Sequence, residues 1–155
     1  MKSNIFRKIM VATDGSEAVK SAVDTAIKIA KLSEAKLYAV HVLSMGFYSM
    51  TLPTNAQWEK AFQQRLMTEG KEATDYVENA GRASNVEVES VVLRGSPAAE
   101  IIGFAERNDI DLVVMGTQGK TGITKFLIGS VAEKVVRHSN KSVLVVRGET
   151  AEMNK

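Results

Sequence analysis

The stretch Met115–Val131, MGTQGKTGITKFLIGSV, decides how the rest of the chain is read. It follows the short apolar run Asp111–Met115 (DLVVM) and ends at Gly129-Ser130, where a helix is expected to begin. Gly116, Gly119 and Gly122 sit three apart, and Gly129 precedes the serine. Glycine suits places where backbone turns sharply or approaches a ligand closely. A strand, a glycine loop and a fresh helix N-terminus together offer backbone N–H groups to an anion. The stretch therefore predicts a phosphate-binding loop. The competing reading is a plain connection with glycines as turn residues, and it gives no reason for a ready helix N-terminus.

Two familiar phosphate motifs are excluded. Gly119-Lys120-Thr121 has the ending of a Walker A loop, but that motif needs a glycine at position 114, which is Val114. The dinucleotide fingerprint GxGxxG fails because Gln118 stands two residues after Gly116.

Outward from this loop, strands and helices alternate. Lys8–Thr13 (KIMVAT) reads as a buried strand closed by Asp14-Gly15-Ser16, with Ser16 as N-cap of a helix whose apolar face is Val19, Ala22, Val23, Ala26, Ile27 and Ala30. Lys36–Val42 is a second strand, followed by an apolar loop, 43–56, read as a lid, a partner surface or a plug. A long helix over Asn55–Ala83 carries Trp58, Phe62, Leu66, Ala73, Tyr76, Val77 and Ala80 on one side. Val86–Leu93 is the third strand, Ser96-Pro97 opens the third helix and Asp111–Met115 is the fourth strand. Ser130-x-x-Glu133 reads as a capping box for the fourth helix, and Ser142–Val146 is the fifth strand.

This pattern predicts an α/β fold: one doubly wound, five-stranded parallel sheet with helices on both faces. The alternating Val/Glu start of the third strand suits an edge, which favours the order 3-2-1-4-5 over 2-1-3-4-5. Strands one and four then flank the switch point, and Thr13-Asp14 meets Gly116 in one crevice. The other edge, Val143-Leu144-Val145-Val146, has no charge inside it. Such an edge invites pairing with a second copy by two-fold symmetry, so a homodimer through this strand is expected. A tail folded over the edge is the alternative.

At 155 residues the chain suits a single domain, read as 1–148 with a polar tail over 149–155. A net charge of +2 gives no argument for nucleic acid or an anionic membrane surface. The absence of cysteine removes disulfide and thiolate chemistry and suits a reducing compartment. No apolar run is long enough to span a membrane and MKSNIFRK lacks the apolar region of a signal peptide, so a cytoplasmic protein is expected.

The spacing Gly116-x2-Gly119-x9-Gly129-Ser130 resembles the universal stress protein family, whose ATP-binding members carry G-x2-G-x9-G-[ST] after the fourth strand. Ala12-Thr13-Asp14 and His41-Val42 match the family at the ends of the first two strands. The closing Ser142–Val146 also fits, with Ser142 where the family usually has proline. The resemblance spans roughly residues 5–147. It implies the adenine nucleotide alpha-hydrolase-like version of the fold, the same 3-2-1-4-5 order and dimers through the last strand.

It also implies ATP or another adenine nucleotide as cofactor. Adenine would lie against the backbone of Val42 and near Ala12 and Thr13, with Met115 lining the same apolar wall. The phosphates would meet Gly116, Gly119, Gly129, Ser130 and Val131. Ala12 stands where the family often has proline. Asp14 binds ribose hydroxyls or a metal-bound water, or only shapes its turn; beside a triphosphate an acid calls for Mg²⁺. Lys120 and Lys125 either approach the phosphates or are solvated. Ser130 caps its helix, contacts phosphate, or does both. His41 reads as a packed core residue, and His138 suits the negative end of the fourth helix.

The first functional reading is an ATP-binding regulatory or stress-response module in which the nucleotide is a ligand, with no catalytic residue and no protein-bound metal. Phosphoryl transfer needs a group that orients the nucleophile, and the sequence offers none at a recognisable spacing. The alternatives are a slow ATPase or other nucleotide-using enzyme of the same fold, or a nucleotide-free interaction module with an unidentified protein partner. Adenylyl-transferring relatives would show HIGH-type or SGGxDS-type motifs, and neither occurs. A phosphorelay receiver needs an aspartate after strand three, where Leu93-Arg94-Gly95 stands.

Overall fold

Four short apolar runs and one alternating segment become the strands of one sheet. The computed structural model describes residues 5–44, 55–117 and 128–148. Its strands are β1 (Lys8–Ala12), β2 (Lys36–Leu43), β3 (Val88–Arg94), β4 (Leu112–Gly116) and β5 (Ser142–Val146). They alternate with α1 (Lys20–Ser33), α2 (Ala56–Ala83), α3 (Pro97–Arg107) and α4 (Ser130–His138). The sheet order is β3-β2-β1-β4-β5. Every pairing is parallel, with Met10 opposite Tyr38 on one side and Val113 on the other. The expected α/β architecture and strand order are those observed.

Because successive strand side chains point to opposite faces, the three inner strands feed two cores. Ile9, Val11, Leu37, Ala39, Leu112 and Val114 face α1 and α2, where Ala22, Val23, Ala26, Ile27, Ala30 and Val77 meet them. Met10, Tyr38, Val40, Val113 and Met115 face α3 and α4, against Ala98, Ile101, Phe104, Ala105, Ala132 and Val135. Tyr38 and Phe104 meet edge to face at 5.7 Å, a favourable aromatic geometry. Burial on both faces explains why the strands read as unbroken apolar runs. At the N-terminal end of the sheet, Asp111 Oδ2 accepts the Arg7 N–H at 2.8 Å and the Lys8 N–H at 2.9 Å. One carboxylate thus clips the starts of β1 and β4 together and helps set their register.

Two local expectations are corrected. Ser16 precedes a single 3-10 turn, Glu17–Val19, rather than α1 itself, and its side chain makes no cap hydrogen bond. Asp14 Oδ1 already takes the Ser16 N–H, so the acid two residues earlier shapes this turn. The second correction concerns α2. Its buried residues are Gly70, Ala73, Thr74, Val77 and Gly81, while Trp58 and Tyr76 are 42% and 40% exposed. A helix of 28 residues is about 42 Å long, whereas the eight residues of β2 rise only about 26 Å. The first half of α2 therefore overhangs the sheet, and Trp58 stacks on Phe62 at 5.4 Å instead.

The edges differ in character. On β3, Glu89 sits 3.6 Å from Lys36 Nζ, and Glu87 just before it is 3.8 Å away. On β5, Val143 to Val146 are only partly buried. The 43–56 segment expected to be an apolar loop lies outside the described residues over 45–54, as does the tail over 149–155.

Candidate functional site

A cleft of about 450 Å³ opens at the C-terminal ends of the inner strands, where ligands of open α/β sheets bind. Ala12, Thr13 and Asp14 leave β1 on one side, and Val42 leaves β2 beside them. Met115, Gly116 and Thr117 leave β4 opposite, and Gly129, Ser130 and Val131 begin α4. Nine of the ten residues expected at the site thus line one cavity; Gly119 lies outside the described residues, as do Lys120 and Lys125. The cleft also takes in Val19, Val40, His41, Ser44, Pro97, Ile101 and Ala132, which the sequence did not single out as site residues.

The β1 wall is set by a tight turn. Thr13, only 5% exposed, donates its N–H to Val40 O at 2.9 Å and so continues the ladder past the last strand residue. Its Oγ1 accepts the Gly15 N–H at 3.2 Å, and Asp14 Oδ1 accepts the Ser16 N–H at 2.9 Å. These are the side-chain-to-backbone bonds that Thr and Asp favour in turns. Gly15 has φ +77°, and a Cβ there would come within 3.3 Å of Ala73 Cβ. Both the backbone angle and the press of α2 call for glycine. Asp14, expected to act on ribose, on a metal or on its own turn, shapes that turn and also lines the cleft.

The opposite wall is the start of α4. Gly129 is its N-cap, with φ −60° and ψ 155°, and its N–H reaches Thr117 O at 2.8 Å. Thr117 N–H in turn reaches Val146 O at 3.1 Å, so the end of β4 anchors both β5 and the helix start. The capping box expected at Ser130 and Glu133 is not formed. Ser130 is the first helical residue, the N-cap Gly129 has no side chain to cap it with, and Glu133 pairs with Arg137 at 2.9 Å. With the cap taken by a glycine, the first-turn N–H groups have no side-chain acceptor from the cap. These amides lie at the positive end of the helix dipole and on the cleft, an arrangement suited to an anion.

Between these walls the lining is apolar: Ala12, Val42, Pro97, Ile101 and Met115. Pro97 and Ile101 come from the first turns of α3, which packs on the same face as Met115. An apolar slot beside exposed helix amides matches a flat ring linked to an anionic group. Among the described residues no group of three or more His, Cys, Asp or Glu side chains converges to hold a metal ion. Nor is any described helix long and apolar enough to cross a membrane.

The chain matches the family model "Universal stress protein family" over residues 5–147. It is 40% identical over 144 residues to Universal stress protein MJ0531 of Methanocaldococcus jannaschii, covering 93% of this chain and 84% of that protein. It is 36% identical over 148 residues to Putative universal stress protein SSP1056 of Staphylococcus saprophyticus, covering 93% and 85%. Among solved structures, hypothetical protein MJ0577 superposes with a TM-score of 0.81 at 27% identity, covering 95% of this chain and 99% of that one. A universal stress protein in complex with cAMP gives 0.66 at 26%, covering 92% and 97%. The universal stress protein from Archaeoglobus fulgidus in complex with dAMP gives 0.68 at 26%, covering 92% and 99%. A match of model, sequence and fold over nearly the whole length leaves one assignment: this chain belongs to the universal stress protein family.

Proposed function

We propose that the chain is an adenine-nucleotide-binding regulatory module, with ATP and Mg²⁺ as the resident ligand in the cleft between β1 and β4. The observation that carries this reading is the convergence of an apolar slot and the glycine-capped start of α4 on one cavity. Its volume, about 450 Å³, falls within the range of roughly 300–1,000 Å³ typical of small-molecule sites. Relatives solved with cAMP and dAMP support the adenine nucleotide class.

In this reading Ala12, Val42 and Met115 hold the base, with Pro97 and Ile101 closing the slot. Gly116, Gly129, Ser130 and Val131, with Gly119, hold the phosphates through backbone N–H groups. Thr13 stands beside the base, and Asp14 forms the rim toward the ribose, where a magnesium ion would offset the acid. The nucleotide acts as a ligand that stabilises one state of the protein, and slow hydrolysis is the alternative. We further propose a homodimer paired through β5, whose uncharged, partly buried Val143–Val146 edge supports it. A cytoplasmic setting agrees with a chain that has no cysteine.

The test is to identify nucleotide extracted from the purified protein, then titrate ATP with Mg²⁺ and follow phosphate release. Gly129→Val puts a β-branched side chain at the helix start, beside the first-turn amides. It is expected to weaken binding by about 100-fold, the loss of two charge-assisted hydrogen bonds. Phosphate release faster than about one per second would make the protein an enzyme instead. No binding of any adenine nucleotide would sink the reading.

A further inference from the structure

The end of β2 carries a histidine that does more than fill space. His41 is 8% exposed and lines the cleft, and its Nδ1 lies 2.8 Å from Thr13 O. A carbonyl oxygen can only accept, so Nδ1 carries the hydrogen and donates it. On the far edge of the ring stands Gly70 of α2. A Cβ on Gly70 would be 2.9 Å from His41 Cδ2 and 3.5 Å from Nε2. Helix backbone and ring therefore touch with no room for a side chain between them.

The residue that receives this hydrogen bond begins the cleft's rim. Thr13 N–H is fixed to Val40 O, Thr13 Oγ1 holds the Gly15 N–H, and Asp14 Oδ1 holds the Ser16 N–H. The carbonyl of Thr13 belongs to the peptide that leads into Asp14, so its direction sets where the acid and the following turn lie.

We infer that His41 is a positioning residue: its Nδ1–H, braced from behind by Gly70 of α2, holds the Thr13 carbonyl and with it the Thr13–Ser16 rim of the cleft. The consequence for nucleotide affinity rests on the proposed function; the consequence for the rim does not. A histidine that merely packed would be replaceable by any apolar side chain of similar size. One that positions is replaceable only by a donor in the same place. Asparagine supplies that, because its amide nitrogen is bonded to Cγ as Nδ1 is in histidine.

The experiment uses the full chain and four readouts: ¹⁵N NMR of the neutral imidazole, hydrogen exchange at the Gly15 and Ser16 amides, thermal midpoint, and ATP affinity. The wild type is expected to show the Nδ1-protonated tautomer, the rarer one for a free histidine. His41→Leu should speed exchange at both amides and weaken ATP binding by about tenfold, the effect of one lost hydrogen bond. His41→Asn should keep both within about threefold of wild type even if its midpoint falls, since it keeps the donor. Gly70→Ala, which pushes the ring without altering it, should reproduce the Leu variant's faster exchange.

An Nε2-protonated wild type would overturn the inference. So would unchanged exchange in His41→Leu, or equal damage in the Asn and Leu variants. If the wild type binds no adenine nucleotide, the proposed function fails and the tautomer and exchange still decide the role of His41. If His41→Leu does not fold, His41→Asn and Gly70→Ala carry the same comparison.

Discussion

The two edges of the sheet are built on opposite plans. Beside β3, Lys36 reaches across to Glu87 and Glu89 at 3.8 and 3.6 Å, so a second strand approaching this edge meets charge. Beside β5 the strand is Val143-Leu144-Val145-Val146, and the neighbouring α4 adds Val136 at 49% exposure. Unpaired strand edges invite association, and charged side chains are a common guard against it. Among the described residues one edge is guarded by charge and the other carries none within its strand. The difference teaches which edge the sequence guards against another strand, and it is the ground for the proposed β5 pairing.

The largest effect is expected from charging the β5 edge. Val145→Glu would bring two carboxylates near the two-fold axis of the proposed β5 pairing. An unpaired charge buried at an interface costs about 3–5 kcal/mol, so the dimer should give way to monomer at micromolar concentrations. Analytical ultracentrifugation checks this. A dimer that survives unchanged would place the pairing elsewhere. The complementary break strips the guarded edge: Glu87→Val with Glu89→Val removes both carboxylates and leaves Ser90 as the one polar residue before Arg94 on β3. Light scattering should then rise with concentration where the wild type's does not. A double variant that stays as dispersed as the wild type would show that the carboxylates are not the guard.

The edges were also where the sequence was easiest to read, because a strand's charges and their absence are local facts. The same holds for the strand order and for the cleft. Four strands read as apolar runs and the third as an alternating edge, and in the order 3-2-1-4-5 that this edge favours, the ends of β1 and β4 meet at the switch point. That is why Thr13, Asp14 and Gly116 were legible as one crevice; Gly129 and Ser130 came from the glycine loop before a helix start, and Ala12, Val42, Met115 and Val131 from the family resemblance. Residues whose role depends on how far an element reaches were not legible. Helical periodicity put Trp58 and Tyr76 on the face of Val77, but it carries no information about where the sheet beneath α2 ends. Pro97 and Ile101 read as the opening of a helix, and only the packing of α3 on the face of Met115 brings them to the cleft. Ser130 looked like a cap because serine at that spacing usually is one; here the extended backbone angle fell on Gly129 instead. His41 was read as core, correctly as to burial, but its hydrogen bond to Thr13 joins residues 28 apart in sequence.

A finer contrast lies inside the guarded edge. Ser90 pairs with Ala39 in the middle of β3, and its Oγ is buried with no hydrogen-bond partner. Ala39 belongs to the core beneath α1 and α2, so the hydroxyl is set toward an apolar layer. A buried hydroxyl without a partner loses its water and gains nothing in exchange. Ser90→Ala keeps nearly the same volume and removes only that oxygen. We expect it to leave the strand in register and to raise stability by about 0.5–1 kcal/mol, read as a shift in the midpoint of urea denaturation at unchanged slope. Because the change touches neither Glu87, Glu89 nor β5, association should be untouched. Stability and pairing would then separate cleanly on one strand: the side chains facing outward set what the edge repels, and the one facing inward sets only how well the edge is held.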